Sequence, residues 1–174
     1  MYNSLYIRSL MKRFAVAFTG PSGSGKTTLV EKLSKELIKT REVAIIKHDP
    51  KDKAIFDTEG KDSYRFSQTG AEVVVASPTR TTYFSKRQKE LDEIVQMLNH
   101  FDILLVEGLK TLPLPRIAIF RGSIEESYLS CSEAIAVDNS VDLTQYKIPK
   151  EIDILDLNNT QEIIEWIDKN AKSV

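Results

Sequence analysis

The chain has 174 residues, of which 41% are hydrophobic and 28% are charged. This composition predicts one globular domain, over residues 12–174. We expect residues 1–11 to be a flexible leader, and they lack the apolar segment of a secretory signal. The net charge of −1 conceals a basic first part and an acidic last part, and no basic stripe with interleaved aromatics indicates nucleic acid. No run is long and apolar enough for a membrane span, and one cysteine, Cys131, excludes an internal disulfide, so we expect a cytoplasmic protein.

An apolar run, a glycine-rich loop and an amphipathic segment follow one another near the start of the chain. Residues 14–18 predict a buried parallel strand, and Leu29 and Leu33 follow at helical spacing. Between them, residues 20–27 match the phosphate-loop pattern G-x-x-x-x-G-K-[ST] at every defined position. The candidate nucleotide-binding residues are Gly20, Ser22, Gly23, Ser24, Gly25, Lys26, Thr27 and Thr28.

This loop predicts a nucleoside triphosphate site. Its glycines let backbone N–H groups turn inward around phosphate oxygens, and the helix that follows directs its positive end at the same anion. Lys26 supplies a charge for the terminal phosphates and is a catalytic candidate, and the Thr27 hydroxyl is a candidate ligand of Mg²⁺.

The rest of the chain alternates between strand-like and helix-like segments. This alternation predicts an α/β fold of the P-loop NTPase class, a mainly parallel twisted sheet flanked by helices. After the first helix we expect a strand over 43–46, a long loop over 48–62, a short helix ended by Gly70, a β-hairpin or edge excursion over 72–84, a helix over 87–99, strands over 102–107, 116–120, 134–137 and 152–155, and a final helix around 163–167.

Three acids are candidates for a metal site. Glu107 ends an apolar strand and precedes Gly108, and a phosphate loop usually works with such an acid because Mg²⁺ on phosphates needs carboxylates around its waters. Glu107 is also a candidate for orienting a water toward the γ-phosphate. Asp57 and Asp62 in the long loop are further metal candidates, although both can equally be solvated and Asp62 can cap the helix after it.

The base and the histidines are less informative. The Asn-Lys-x-Asp signature of many guanine-binding proteins is absent, and residues 137–140 are the candidate for reaching the base. His48 and His100 are the only histidines, which disfavours a histidine metal site. His48 follows Lys47 at a strand end, where either side chain can meet a phosphate.

Several segments together resemble the molybdopterin-guanine dinucleotide biosynthesis protein B (MobB) family. The resemblance covers about residues 13–121, and its Gly-Lys-Asp-Ser-Tyr and Val-Glu-Gly-x-Lys segments are more specific than the phosphate loop. The matching segments are Gly20–Thr28, Ile46–His48, Asp57–Tyr64, Thr69–Ala71, Val75–Ser77 and Leu105–Lys110.

The resemblance implies a GTP-binding P-loop protein with slow GTP hydrolysis. It implies a homodimer that assists the guanylyltransferase joining GMP to molybdopterin, with molybdopterin itself as a candidate ligand. By matching position it implies phosphate and Mg²⁺ binding by Gly23, Gly25, Lys26, Thr27 and Thr28, metal neighbours at Asp57, Asp62 and Glu107, and an anionic-ligand face at Lys47, His48, Lys61 and Lys110.

This chain departs from the family pattern at two places. The stretch 49–56 lacks the further histidines that the family often carries, so the resemblance implies no role for a histidine in this stretch. After the late strand, Asp138-Asn139 stands in place of the usual Ser-Asp, so base recognition can differ in detail.

Two other functions fit the same phosphate loop. A small-molecule kinase would need an acceptor pocket under a basic lid, for which Arg80, Lys86, Arg87 and Lys89 are candidates. A dimeric scaffold would bind nucleotide tightly without turnover. The β-prone segment 72–84 is a candidate strand edge for dimer pairing.

Overall fold

The computed structural model describes residues 12–98 and 100–174. Predictions for the leader, 1–11, lie outside the described residues. By their internal contacts the described residues form two compact units. The phosphate-loop unit comprises residues 12–48 and 100–174, and the hairpin unit comprises residues 49–98. A single domain from residue 12 onward stays a prediction.

The structure contains four α-helices, nine strands and two short 3-10 helices in the described part of the chain. In chain order the regular elements are β1 (Phe14–Thr19), α1 (Lys26–Leu37), β2 (Val43–Lys47), α2 (Asp62–Gln68), β3 (Val73–Ala76), β4 (Thr81–Phe84), α3 (Leu91–Leu98), β5 (Ile103–Glu107), β6 (Arg116–Phe120), β7 (Ala134–Val137), β8 (Asp153–Asp156), α4 (Thr160–Asn170) and β9 (Lys172–Ser173). The 3-10 helices are Glu126–Cys131 and Leu143–Gln145.

The phosphate-loop unit is built on a seven-stranded sheet. Six strands run parallel in the order β2-β5-β1-β6-β7-β8, and β9 pairs antiparallel with β1. This confirms the predicted mainly parallel sheet. Because the strands are parallel, the chain segments that follow β1, β2, β5, β6 and β7 all leave the sheet at the same edge.

Each face of this sheet has its own apolar cluster. On one face, α1 and α4 contribute Leu33, Ile163 and Ile167, which are fully buried with Phe18 and Leu105 of the strands. A second cluster, on Ala118, Phe120, Ile135 and Val137 of the strands, includes Tyr128 of the first 3-10 helix. The continuous apolar runs of the strands follow from burial on both faces.

The hairpin unit contains α2, the antiparallel β3–β4 hairpin and α3. The hairpin lies within the predicted range 72–84 and confirms it. The helix predicted over 87–99 begins four residues later, at Leu91. Its start is explained by Glu90, whose backbone N–H donates to the Glu93 carboxylate at 2.9 Å, while Arg87 upstream forms an ion pair with Glu72 at 3.4 Å.

Candidate functional site

The glycine-rich loop joins β1 to α1 in the shape that a phosphate loop requires. Gly20, Gly23 and Gly25 have φ angles of 137°, 79° and 95°, which residues with a Cβ rarely adopt. Among the described residues, no side chain caps the N terminus of α1 and none of its first-turn residues is acidic. The first-turn N–H groups therefore stay available for an anion.

Close packing constrains two of these glycines beyond their φ angles. A Cβ on Gly20 would collide with the backbone oxygen of Ile119 on β6. A Cβ on Gly25 would lie 3.2 Å from Nε of Arg121. Gly23 differs, because a Cβ there would meet no described atom within 4 Å and would point into open space.

Lys26 folds back over the loop. Its Nζ donates to the backbone oxygens of Gly20 and Pro21 at 2.9 and 2.7 Å. Burial lowers the pKa of Lys26, Glu107 opposes that shift, and the charges of Lys47 and Lys110 add to it. The ammonium group is thus partly desolvated, and a bound phosphate would stabilise its charged form.

Glu107 lies beside the loop at the end of β5. Its carboxylate accepts from the Thr27 hydroxyl at 3.3 and 3.4 Å and pairs with Lys47 Nζ at 3.1 Å. The register of the sheet explains this meeting, because Glu107 pairs with Phe18 on one side and with Lys47 on the other. Strand pairing therefore brings Lys47 and Glu107 together, next to the strand that leads into the phosphate loop and Thr27.

A cavity of about 360 Å³ opens over these groups. It is lined by Ser22, Gly23, Gly25, Lys26, Thr27, Thr28, Lys47 and Glu107. Ser24 does not line it, and its hydroxyl is buried without a hydrogen-bond partner among the described residues.

These groups fit a nucleotide with Mg²⁺. Free first-turn N–H groups and Lys26 suit phosphate oxygens, and the hydroxyl of Thr27 with the carboxylate of Glu107 suits a hard cation. Within residues 12–98 and 100–174, no three His, Cys, Asp or Glu side chains form a metal-binding group. A cation at Glu107 would therefore rely on Thr27 and on oxygens of the nucleotide and water.

A buried arginine fixes the loop that follows Glu107. Arg116 is 1% exposed, and its guanidinium donates to the backbone oxygens of Gly108, Leu109, Lys110 and Leu112 at 2.9–3.3 Å. Arg116 is not among the predicted site residues, because its acceptors are backbone atoms, which leave no mark in a side-chain pattern.

Two residues of the predicted anionic-ligand face belong to this region. His48 packs against Gly108, since a Cβ on that glycine would lie 2.9 Å from the Cβ of His48. Lys110 has its Nζ 3.6 Å from the centre of the Tyr128 ring and lines a second cavity of about 510 Å³ with Arg116 and other residues. Both roles in ligand binding stay predictions.

The other predicted site residues lie in the hairpin unit. Asp57 accepts from the Ser63 hydroxyl at 3.0 Å through one carboxylate oxygen, while its other oxygen is buried with no partner in the described chain. Asp62 is the first residue of α2, and Lys61 precedes it. Asp62 is also 3.8 Å from Arg65 in an exposed ion pair. Metal binding by Asp57 and Asp62 and ligand binding by Lys61 stay predictions.

Comparisons with known proteins identify the family. A sequence model of the family described as molybdopterin guanine dinucleotide synthesis protein B matches residues 15–139. The chain belongs to this family. It is 35% identical over 159 residues to the molybdopterin-guanine dinucleotide biosynthesis adapter protein of Haemophilus influenzae, covering 88% of this chain and 86% of that protein. It is 30% identical to the adapter protein of Escherichia coli, covering 88% and 93%.

Solved structures agree on the fold. The MobB structure from Bacillus subtilis superposes with a TM-score of 0.72 at 21% identity, covering 90% of this chain and 98% of that one. The hydrogenase maturation factor HypB from Archaeoglobus fulgidus superposes with a TM-score of 0.51 at 18% identity, covering 89% and 86%. The predicted P-loop NTPase fold of this MobB-family chain is thereby confirmed. No helix in the described chain has the length and apolar character needed to cross a bilayer.

Proposed function

We propose that this MobB-family chain is a GTP-binding accessory protein of molybdenum cofactor biosynthesis that hydrolyses GTP slowly. In this role it assists the conversion of molybdopterin to molybdopterin guanine dinucleotide. The observation that carries the proposal is the meeting of Lys26, Thr27, Lys47 and Glu107 around one cavity at the phosphate loop. The adapter role comes from the family, whose relatives bear that name.

Each residue at the cavity has a separate task. The first-turn N–H groups of α1 bind phosphate oxygens, and Lys26 leaves the carbonyls of Gly20 and Pro21 to pair with the terminal phosphates. Thr27 and Glu107 hold Mg²⁺ through a hydroxyl and a carboxylate, with Asp57 and Asp62 as proposed neighbours. When bound, Mg²⁺ neutralises charge that builds on the phosphates.

Slow hydrolysis fits the state of Glu107. The carboxylate is held by the Thr27 hydroxyl and by the ammonium group of Lys47. An acid with these partners is well placed to hold a metal and poorly placed to accept a proton from an attacking water. We therefore assign Glu107 mainly to metal binding.

The partners follow from the proposed role. We propose a cytoplasmic homodimer that associates with the molybdenum cofactor guanylyltransferase. Among the described residues the β3–β4 sheet has only these two strands, so each keeps an edge without a strand partner, which makes the hairpin a candidate pairing edge. Molybdopterin is a further candidate ligand.

The kinase alternative receives less support from the hairpin unit. Arg87 forms an ion pair with Glu72, and Lys89 Nζ lies 5.7 Å from the centre of the Tyr83 ring. Both cations thus have partners within the hairpin unit, whereas a lid needs basic side chains that reach the transferred phosphate.

Calorimetry with GTP and ATP in the presence of Mg²⁺ tests the proposal, with phosphate release followed in the same samples. The variants are Lys26→Ala and the control Lys39→Ala, which removes the same charge from an exposed position beyond the far end of α1. We expect GTP to bind the wild type and the control more tightly than ATP, and Lys26→Ala to lose at least about tenfold in affinity. Rapid turnover of ATP that depends on an added acceptor would favour the kinase, and absence of binding to the wild type would overturn the proposal.

A further inference from the structure

Arg121 places a cation against the phosphate loop, on the side opposite to Glu107. It directly follows β6, and its Nε lies 3.2 Å from where a Cβ on Gly25 would be. Its side chain is 45% exposed. The absence of a side chain on Gly25 thus leaves the room in which the guanidinium lies.

Other positive charge lies close to this position. Gly25 caps the N terminus of α1, where the helix dipole is positive, and Lys26 adds a full charge next to it. The compensating acid is Asp138, whose Oδ2 is 3.6 Å from Arg121 Nε, beyond hydrogen-bonding distance. The other oxygen of Asp138 accepts from the backbone N–H of Ser140 at 3.1 Å.

The guanidinium N–H groups of Arg121 are therefore available as hydrogen-bond donors to a ligand. None of the described residues accepts a hydrogen bond from it, and its ion pair with Asp138 is loose. A guanidinium offers paired N–H donors that match two oxygens of a phosphate. An anion at this point would accept hydrogen bonds from these donors and would add to the charge compensation that Asp138 gives.

The strand order indicates which phosphate of a bound nucleotide would lie next to Arg121. Lys47 and Glu107 end β2 and β5, on one side of β1, whereas Arg121 and Asp138 follow β6 and β7, on the other side. The cavity that includes Lys47 and Glu107 suits the terminal phosphates, and Arg121 does not line it. A nucleotide seated with its terminal phosphates in this cavity extends toward Arg121 with its nucleoside end.

We propose that Arg121 binds the α-phosphate of the nucleotide and that Asp138 holds its side chain near this position in the free protein. The assignment rests on the proposed nucleotide site. It makes Arg121 a residue that recognises the nucleoside end of the ligand, distinct from Lys26, which meets the terminal phosphates.

Titration of GTP, GDP and pyrophosphate into the wild type, Arg121→Ala and Lys39→Ala tests the assignment. We expect Arg121→Ala to lose about tenfold in affinity for GTP and for GDP alike, and to keep the affinity of the wild type for pyrophosphate. Lys39→Ala should behave as the wild type with all three ligands. Arg121→Lys keeps the charge but loses the paired N–H donors of the guanidinium. Its affinity for GTP and GDP should lie between those of the wild type and Arg121→Ala.

Three results would overturn the assignment. An unchanged affinity for GTP would remove Arg121 from the site, a loss confined to GTP would place it at the γ-phosphate, and an equal loss for pyrophosphate would place it at the terminal phosphates. Failure of the wild type to bind any of the three ligands would instead overturn the nucleotide site itself.

Discussion

The two units of the chain differ in how far some of their apolar residues are exposed to solvent. In the phosphate-loop unit, Leu105 and Ile119 are fully buried in the sheet. In the hairpin unit, Ile55 and Phe56 are 89% and 82% exposed. The site that must hold several groups at fixed distances is thus built on strands with fully buried residues, and Ile55 and Phe56 of the hairpin unit offer apolar surface for contact.

The largest expected effect separates one buried and one exposed phenylalanine. Phe120 is fully buried and meets Tyr128 edge to face at 6.1 Å between ring centres. We expect Phe120→Ala to lower the free energy of unfolding by about 3–5 kcal/mol, because it removes buried surface and leaves a cavity. Phe56→Ala should change it by less than about 0.5 kcal/mol. Urea denaturation of both variants measures the difference.

The same experiment can break the comparison between the units. If Phe56→Ala destabilises the protein by more than about 1 kcal/mol, the ring is buried in solution by a contact such as a second copy. Dependence of that loss on protein concentration would then identify association as its cause.

One glycine in each unit allows a second comparison, for which we expect a smaller loss of stability. Gly23 in the phosphate loop and Gly60 in the hairpin unit have φ angles of 79° and 85°, and a Cβ on either meets no described atom within 4 Å. Substitution by Ala should cost about 1–2 kcal/mol of stability at each, from backbone strain alone. Only Gly23→Ala should weaken GTP binding, by about tenfold.

Thermal denaturation and calorimetry measure these two quantities separately. An equal loss of GTP affinity in both variants would show that the hairpin unit takes part in binding phosphate. Unchanged GTP affinity in both variants would show that the phosphate loop tolerates a methyl group at Gly23.

The smallest expected effect is a pH dependence of GTP binding that comes from Lys26. Its pKa in the free protein lies below the ordinary value of about 10.4 because of burial, and bound phosphates would raise it again. Binding therefore takes up protons as pH approaches the lowered pKa, and GTP affinity should fall as pH rises. In the free protein the sign is opposite, since the unfolded chain holds the proton more tightly and stability rises with pH in that window.

Calorimetry between about pH 7 and 9.5 checks this expectation. Lys26→Arg keeps its charge over the whole range, so its GTP affinity should depend less on pH than that of the wild type. An equal slope in both proteins would assign the pH dependence to another group.

The sequence predicts the fold well where burial leaves a strong pattern. Residues 14–18 of β1, 103–106 of β5 and 117–120 of β6 are apolar throughout because both faces of the sheet are covered, and the phosphate-loop motif marks the turn after β1. Glu107 is found by its place at the end of such a run. Parallel pairing then explains why it meets Lys47, and its pairing with β1 places it near the loop that leads to Thr27.

Features that depend on contacts between distant residues were not predictable. The two-residue strand β9 has polar side chains and is formed only by pairing with Phe14 and Ala15. The late start of α3 depends in part on Arg87, which is held by Glu72 from before β3. Arg121 carries no sequence signal because its position depends on a neighbouring strand end and on a glycine without a Cβ.

The hydrogen bonds from Arg116 to the loop after Glu107 make the shape of that loop tolerant of substitutions. Its guanidinium holds four backbone oxygens between Gly108 and Leu112 and none of the side chains there. Every amino acid carries that oxygen, so the shape of the loop is largely independent of which side chains it displays. Apart from Gly108 and Leu109, whose φ angles are 95° and 50°, the loop can therefore change its chemistry over generations without moving the acid that precedes it.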